Sequence, residues 1–296
     1  MHEYEHTGMA MGTEISIAII TSSKDDAERG FKHALTTIRE YEEKFSRFRQ
    51  ESELSRLNMI KKMPVSPIFL VVLKEALELS KKTQMAFNPL VQVSRLGYST
   101  SFVEITNTTP RSRDEPYDTD IAKIHIDPHT NIVTLAVGQK LDFGGFLKGY
   151  LAEKLAKKLE VEFPSYHGVI VNLGGDLHTR GLDEYGKKFV FEIYNPVTTT
   201  DESCILYNQS LATSGTYKRT WQTSDGKKHH ILDTSGKKNP STDIVSASVI
   251  HANGAESEAY AKTFLLFPFS EALNIIKDPT VSYLLITHTG IIIKNI

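Results

Sequence analysis

LDFGGFLKGY, residues 141–150, runs from a short apolar stretch through paired glycines to Lys148. Leu147, Leu151, Leu155 and Leu159 then recur at four-residue spacing, so a helix begins at this turn and runs to about Leu159. Glycines let backbone N–H groups approach an anion, and a helix start adds partial positive charge. Lys148 would add a full charge. Paired glycines are also common strand-to-helix punctuation, and a lysine at a helix start is often merely solvated. The stretch alone leaves both readings open. It is not a Walker loop, because no Lys-Ser or Lys-Thr closes it, and its glycine spacing does not match the dinucleotide fingerprint.

Moving outward, IAKIHID (121–127) and NIVTLAV (131–137) alternate apolar and polar across DPHT, which predicts a hairpin. GVIVNLGGDL (168–177) reads as a buried strand ending in a second glycine pair. Further strands are expected over 14–20, 188–194, 203–207, 245–251, 281–287 and 291–295. Helices are expected over 25–45, where Phe31, Leu35, Ile38, Tyr41 and Phe45 recur, from Pro67 to about Thr83, and from about Ala255 to Phe267. Residues 45–58 are polar and turn-rich, 86–98 contain a helix-breaking Asn-Pro, and 99–120 read as a polar loop. Strands and helices interleave irregularly, which favours an α+β fold of mixed sheets with packed helices over a doubly wound parallel sheet.

Bulk properties exclude several classes. Among 296 residues, 40% are hydrophobic and 24% charged, as in an ordinary globular chain. The net charge of −2 provides no basic field for nucleic acid or an anionic membrane. Cys204 is the single cysteine, so no intrachain disulfide forms, and zinc-finger spacing is absent. No stretch approaches the roughly 18–20 apolar residues of a membrane span. The first residues lack a basic region followed by a signal-length apolar run, so a cytoplasmic location is expected, although a chain trimmed of a leader would look the same.

Two other segments carry chemistry. LATSGTYKRTW (211–221) reads as a turn with hydroxyl donors Thr213, Ser214 and Thr216 followed by Lys218 and Arg219. KHHILDTSGKKNP (228–240) sets His229 and His230 before an apolar pair and Asp233. Taken in order, MGT (11–13), SRFRQESELSRLN (46–58), FNP (87–89), LDFGGFLKGY (141–150), VNLGGDL (171–177), TSGTYKR (213–219), HHILDTSGKKNP (229–240) and SEAYAKTFLL (257–266) resemble the ApbE family of FAD:protein FMN transferases. The resemblance runs from about residue 9 to 270.

The resemblance implies an ApbE-like architecture, related to the T-fold. Residues 1–296 would form a single domain, or two closely packed subdomains with the flavin and metal site between them. It implies cleavage of FAD, transfer of FMN to a threonine or serine of an acceptor protein, and release of AMP. By position, Met11, Phe48, Ala86, Phe87, Asn88, Asp142, Lys148 and Ile231 are expected to hold FAD. His230 is the expected acid/base, its imidazole suited to take a hydroxyl proton near neutral pH, with Asp233 orienting its loop. Gly145, through its carbonyl, and positions 258 and 262 fall where the family holds a divalent metal, usually magnesium.

The pattern breaks at that metal. The family's aspartate is here Glu258 and its threonine is Lys262, and a protonated lysine cannot ligate. Lys262 either pairs with Glu258 in the metal's place, or Thr263 takes over after a slip in register, or the two form an ordinary i,i+4 pair on a solvated face. The segment after Pro89 is also shorter than in the family, which reshapes the pocket wall. Magnesium binding is therefore expected to be weak or absent. The alternative to a transferase is a divergent flavin- or nucleotide-binding paralogue with weak or no transfer activity, or, further off, a scaffold that keeps only the fold.

Overall fold

The computed structural model describes residues 1–93, 116–218, 220–223 and 226–296. Most of the loop expected over 99–120 lies outside these residues, as does Arg219; 116–120 are irregular. In chain order the elements are β1 (His2–Ala10), β2 (Thr13–Thr21), α1 (Lys24–Phe45), α2 (Glu53–Ile60), β3 (Lys62–Pro64), α3 (Pro67–Lys82), β4 (His125–Ile126), β5 (Ile132–Thr134) and α4 (Leu147–Glu162). There follow β6 (Gly168–Leu173), β7 (Asp176–Gly181), β8 (Phe189–Tyr194), β9 (Asp201–Leu206), β10 (Ser210–Gly215), β11 (Thr220–Thr223), β12 (Gly226–His229), β13 (Ile244–His251), α5 (Gly254–Leu266), α6 (Phe269–Ile276), β14 (Ser282–Thr287) and β15 (Ile292–Lys294).

Among the described residues, eight strands form one antiparallel sheet in the order β1-β2-β6-β7-β10-β13-β14-β15. Alternate residues of a strand face opposite sides, so a strand buried throughout must be covered twice. β13 is such a strand. Ala247 and Val249 face α5, packing with Tyr260, Phe264 and Leu265. Val245 and Ile250 face the β8–β9 hairpin, packing with Ile193 and Leu206. An irregularity between Ile244 and Ser246 shifts the register there. α4 lies beside α5 and packs on β6 and β7, while α1 packs on β1 and β2.

The α+β expectation and its long helices hold. Several short elements escape sequence reading. β1 is polar and edge-lying, so no apolar run marks it. α2 falls in the stretch read as turns; Ser52 caps it by accepting from Ser55 N, and Leu54 and Leu57 fill the core. The 211–221 stretch read as a turn is largely strand. Thr213 and Ser214 belong to β10, and Thr213 Oγ1 lies 2.8 Å from Ser248 Oγ on β13. The second glycine pair is a hairpin turn and not a strand-to-helix joint. Gly174 and Gly175 have φ of +73° and +97° between the paired residues Leu173 and Asp176.

One contact sets the helix arrangement. α4 and α5 meet backbone to backbone at Gly149 and Gly254, where a Cβ on Gly149 would lie 2.2 Å from Gly254 O and one on Gly254 2.1 Å from Gly149 O. No side chain fits there. Gly149→Ala should therefore destabilise the fold by about 1–3 kcal/mol, as overpacking does, read as a lower midpoint in urea unfolding at unchanged slope. An unchanged midpoint would show that the helices separate without cost.

Candidate active site

A cavity of about 340 Å³ opens beside the start of α4, a size suited to a small-molecule ligand. Its walls come from the β1–β2 turn, the end of α1 and the link after it, the 86–93 segment, the 142–148 turn, the 230–233 loop and α5. Met11, Phe48, Ala86, Phe87, Asn88, Asp142, Gly145, Lys148, His230, Ile231, Asp233 and Lys262 all line it. Glu258 stands directly behind Lys262. Thr213, Ser214, Thr216 and Lys218 are not among the lining residues.

Each wall has a local cause. Met11 and Gly12 form the two-residue turn between β1 and β2, and Met11 adopts φ +52°, unusual for a residue with a side chain. Its N–H donates to Glu42 Oε2 at 3.0 Å, which ties the turn to α1. Asp142 N donates to Pro89 O at 2.7 Å, and its carboxylate accepts from Gly144 N at 2.9 Å. Arg47 Nε lies 3.3 Å from the same carboxylate, with its guanidinium 4.2 Å from the centre of the half-exposed Phe48 ring. Phe87 N donates to Thr83 Oγ1, and its ring meets Phe146 edge-on. Asn88 uses its amide internally, donating to Thr119 O and accepting from Leu90 N.

The histidine loop is held from behind. Asn239 Nδ2 donates to the carbonyls of His229 and Ile231, each at 2.6 Å, bracketing His230. Asp233 closes the turn after it, accepting from Ser235 Oγ at 2.7 Å and Lys237 N at 3.2 Å. Asp233 thus ties the 233–237 turn that follows the histidine. Arg47, Asp176 and Asn239 lie within the motifs at 46–58, 171–177 and 229–240 that carry the resemblance, but the resemblance assigns them no role in the site.

The base of the cavity is an ionic cluster. Glu258, 2% exposed, accepts from Lys262 Nζ at 2.9 Å and from Gly149 N, in the first turn of α4, at 3.1 Å. α4 has no side-chain cap of its own, so Glu258 serves as one from a neighbouring helix. Lys148 Nζ lies 3.7 Å from Glu258 Oε1 and forms an ion pair with Asp176. Lys262 Nζ also donates to Gly145 O at 2.6 Å. Burial alone would raise the Glu258 carboxyl pKa. The attraction of Lys148 and Lys262, with hydrogen bonds from Lys262 and Gly149, outweighs it and holds the pKa below the ordinary glutamate value.

Residues 11–285 match the model of the ApbE family. The chain belongs to the ApbE family. It is 27% identical over 276 residues to a protein of Klebsiella pneumoniae named FAD:protein FMN transferase, covering 89% of this chain and 82% of that one. Its fold is similar to the ApbE protein of Thermotoga maritima (TM-score 0.86, 22% identity, 99% and 97% covered). It is likewise similar to the apo flavinyl transferase ApbE of Pseudomonas stutzeri (TM-score 0.80, 17% identity, 99% and 95% covered).

The family resemblance expects a divalent metal among Gly145, residue 258 and residue 262. This ApbE-family site does not fit one. Magnesium needs oxygen donors at about 2.0–2.1 Å in near-octahedral array. Here the Gly145 carbonyl and the Glu258 carboxylate both accept from a lysine ammonium, which has no lone pair to offer. Thr263 does not replace it, because its hydroxyl donates to Ala259 O within α5. Nor is this a solvated surface pair, given the burial of Glu258.

Glu258→Gln should cost about 3–5 kcal/mol, because it leaves Lys262 without its counter-charge and Lys148 with Asp176 alone. A depressed folded pKa gives stability that is fully present above the unfolded value of about 4.3 and lost as pH falls through the folded one. The gap between parent and variant in chemical denaturation should thus be constant from neutral pH to about 4.3 and shrink only below that. A gap that closes already between pH 7 and 5 would contradict an ionised Glu258.

Proposed function

We propose that the chain binds FAD in this cavity and transfers its FMN portion to a threonine or serine of an acceptor protein, releasing AMP. One observation carries the reading: a single cavity gathers an imidazole, two ammonium groups and a helix start around apolar walls, on a chain that matches the family from 11 to 285. The name of the Klebsiella relative supports it.

In this reading Met11, Phe48, Ala86, Phe87 and Ile231 supply the apolar and aromatic surface that a flavin ring needs. Asp142 fixes a polar edge of the ligand, and Asn88, its amide bonded to Thr119 O and Leu90 N, shapes the wall. Lys148, Lys262 and the start of α4 face the pyrophosphate, where positive charge lowers the barrier to phosphoryl transfer. The acceptor hydroxyl oxygen forms a bond to the flavin-side phosphorus. The bond from that phosphorus to the bridging oxygen breaks, and AMP leaves with the electron pair. His230 takes the hydroxyl proton, and Asp233 and Asn239 keep its loop in place.

The test is incubation of the protein with FAD and a flavinylation-competent acceptor, followed by in-gel flavin fluorescence of the denatured acceptor. Covalent fluorescence is expected. His230→Ala should slow its appearance by about two to four orders of magnitude with FAD binding little changed. His229→Ala should have a far smaller effect. A His230→Ala protein of normal rate would remove that residue from the mechanism.

A further inference from the structure

We propose that Lys262 is a resident cation in the place of a metal ion, so that this protein holds the pyrophosphate of FAD without any divalent cation. The inference rests on the FAD reading above and concerns what neutralises the ligand there.

The geometry carries it. Lys262 and Glu258 are one helical turn apart on α5 and share a face. The ammonium sits 2.6 Å from Gly145 O and 2.9 Å from Glu258 Oε1, so it bridges the oxygens that a bound cation would need. Those contacts use two of its three N–H donors. Among the described residues no contact takes the third, and Lys262 lines the cavity. Its stem passes beside Gly145, where Lys262 Cε lies 3.7 Å from the position a Cβ would take.

The charges agree. Lys148 and Lys262 balance Asp176 and Glu258, so the cluster is formally neutral before any ion arrives. A divalent ion entering beside both ammonium groups would meet repulsion and find its oxygen donors already occupied. A pyrophosphate meets this neutral cluster from its ammonium side: Lys148 and Lys262 line the cavity while Asp176 and Glu258 do not, and Lys262 has a donor to spare beside the start of α4. A tethered ammonium brings one charge where a metal brings two, but it needs no binding equilibrium of its own and loses little freedom on meeting the ligand.

The experiment is FAD titration by flavin fluorescence on protein stripped with EDTA, once in EDTA and once in millimolar magnesium, with magnesium alone titrated by calorimetry. The proposal expects Kd values for FAD that agree within about twofold, hence negligible coupling between the ligands, and no heat from magnesium alone. Lys262→Met should keep the fold, seen as a cooperative melt, and weaken FAD binding about tenfold or more while riboflavin, which lacks phosphate, binds as before. Glu258→Asp with Lys262→Thr should make FAD binding depend on magnesium. FAD affinity raised tenfold or more by magnesium in the parent protein would overturn the resident-cation proposal and leave the FAD reading intact. Absence of FAD binding in both arms would overturn the FAD reading and this proposal with it. A Lys262→Met protein that binds FAD as tightly as the parent would overturn the proposal alone.

Discussion

The backbone contact between Gly149 and Gly254 is the constraint on which the site depends. It lets α5 cross α4 close enough for Glu258 to reach Gly149 N. That bond caps α4 with a buried charge, which then requires counter-charges. Lys148 comes from α4 and Lys262 from α5, so both helices supply them. The cavity floor is therefore also the joint between two helices of the core, and its chemistry and its stability are hard to separate.

That coupling explains why a lysine can sit where the family resemblance expects a metal's hydroxyl ligand. A buried carboxylate at a helix start tolerates one cation in place of another if the new one reaches the same oxygens. Lys262 does so from the adjacent turn of the helix that carries Glu258. The Glu258 carboxylate spans Gly149 N and the ammonium together, one oxygen to each.

Much of this was legible in the sequence because it is local. Helices of long apolar period, such as α1, α3 and α4, declare themselves over several turns. Motif order named residues far apart in the chain, and twelve of them line one cavity. What escaped depends on distant partners. β1 is polar and owes its place to pairing with β2. β10 looks like a turn until β13 pairs with it. Asn239 matters through two carbonyls on the other side of its turn, and Asp176 through a lysine 28 positions away. No periodicity encodes such contacts. The Lys262 bridge was readable only as one of three options, and it took the position of Gly145 O, 117 residues distant, to decide among them.

The most direct test of the account is a crystal structure of the FAD complex grown with manganese, with anomalous scattering used to locate the metal. The account predicts pyrophosphate oxygens against Lys148 and Lys262, Lys262 Nζ still bridging Gly145 O and Glu258, and no anomalous peak between them. A manganese peak bound to Gly145 O and Glu258, with Lys262 swung away, would contradict it.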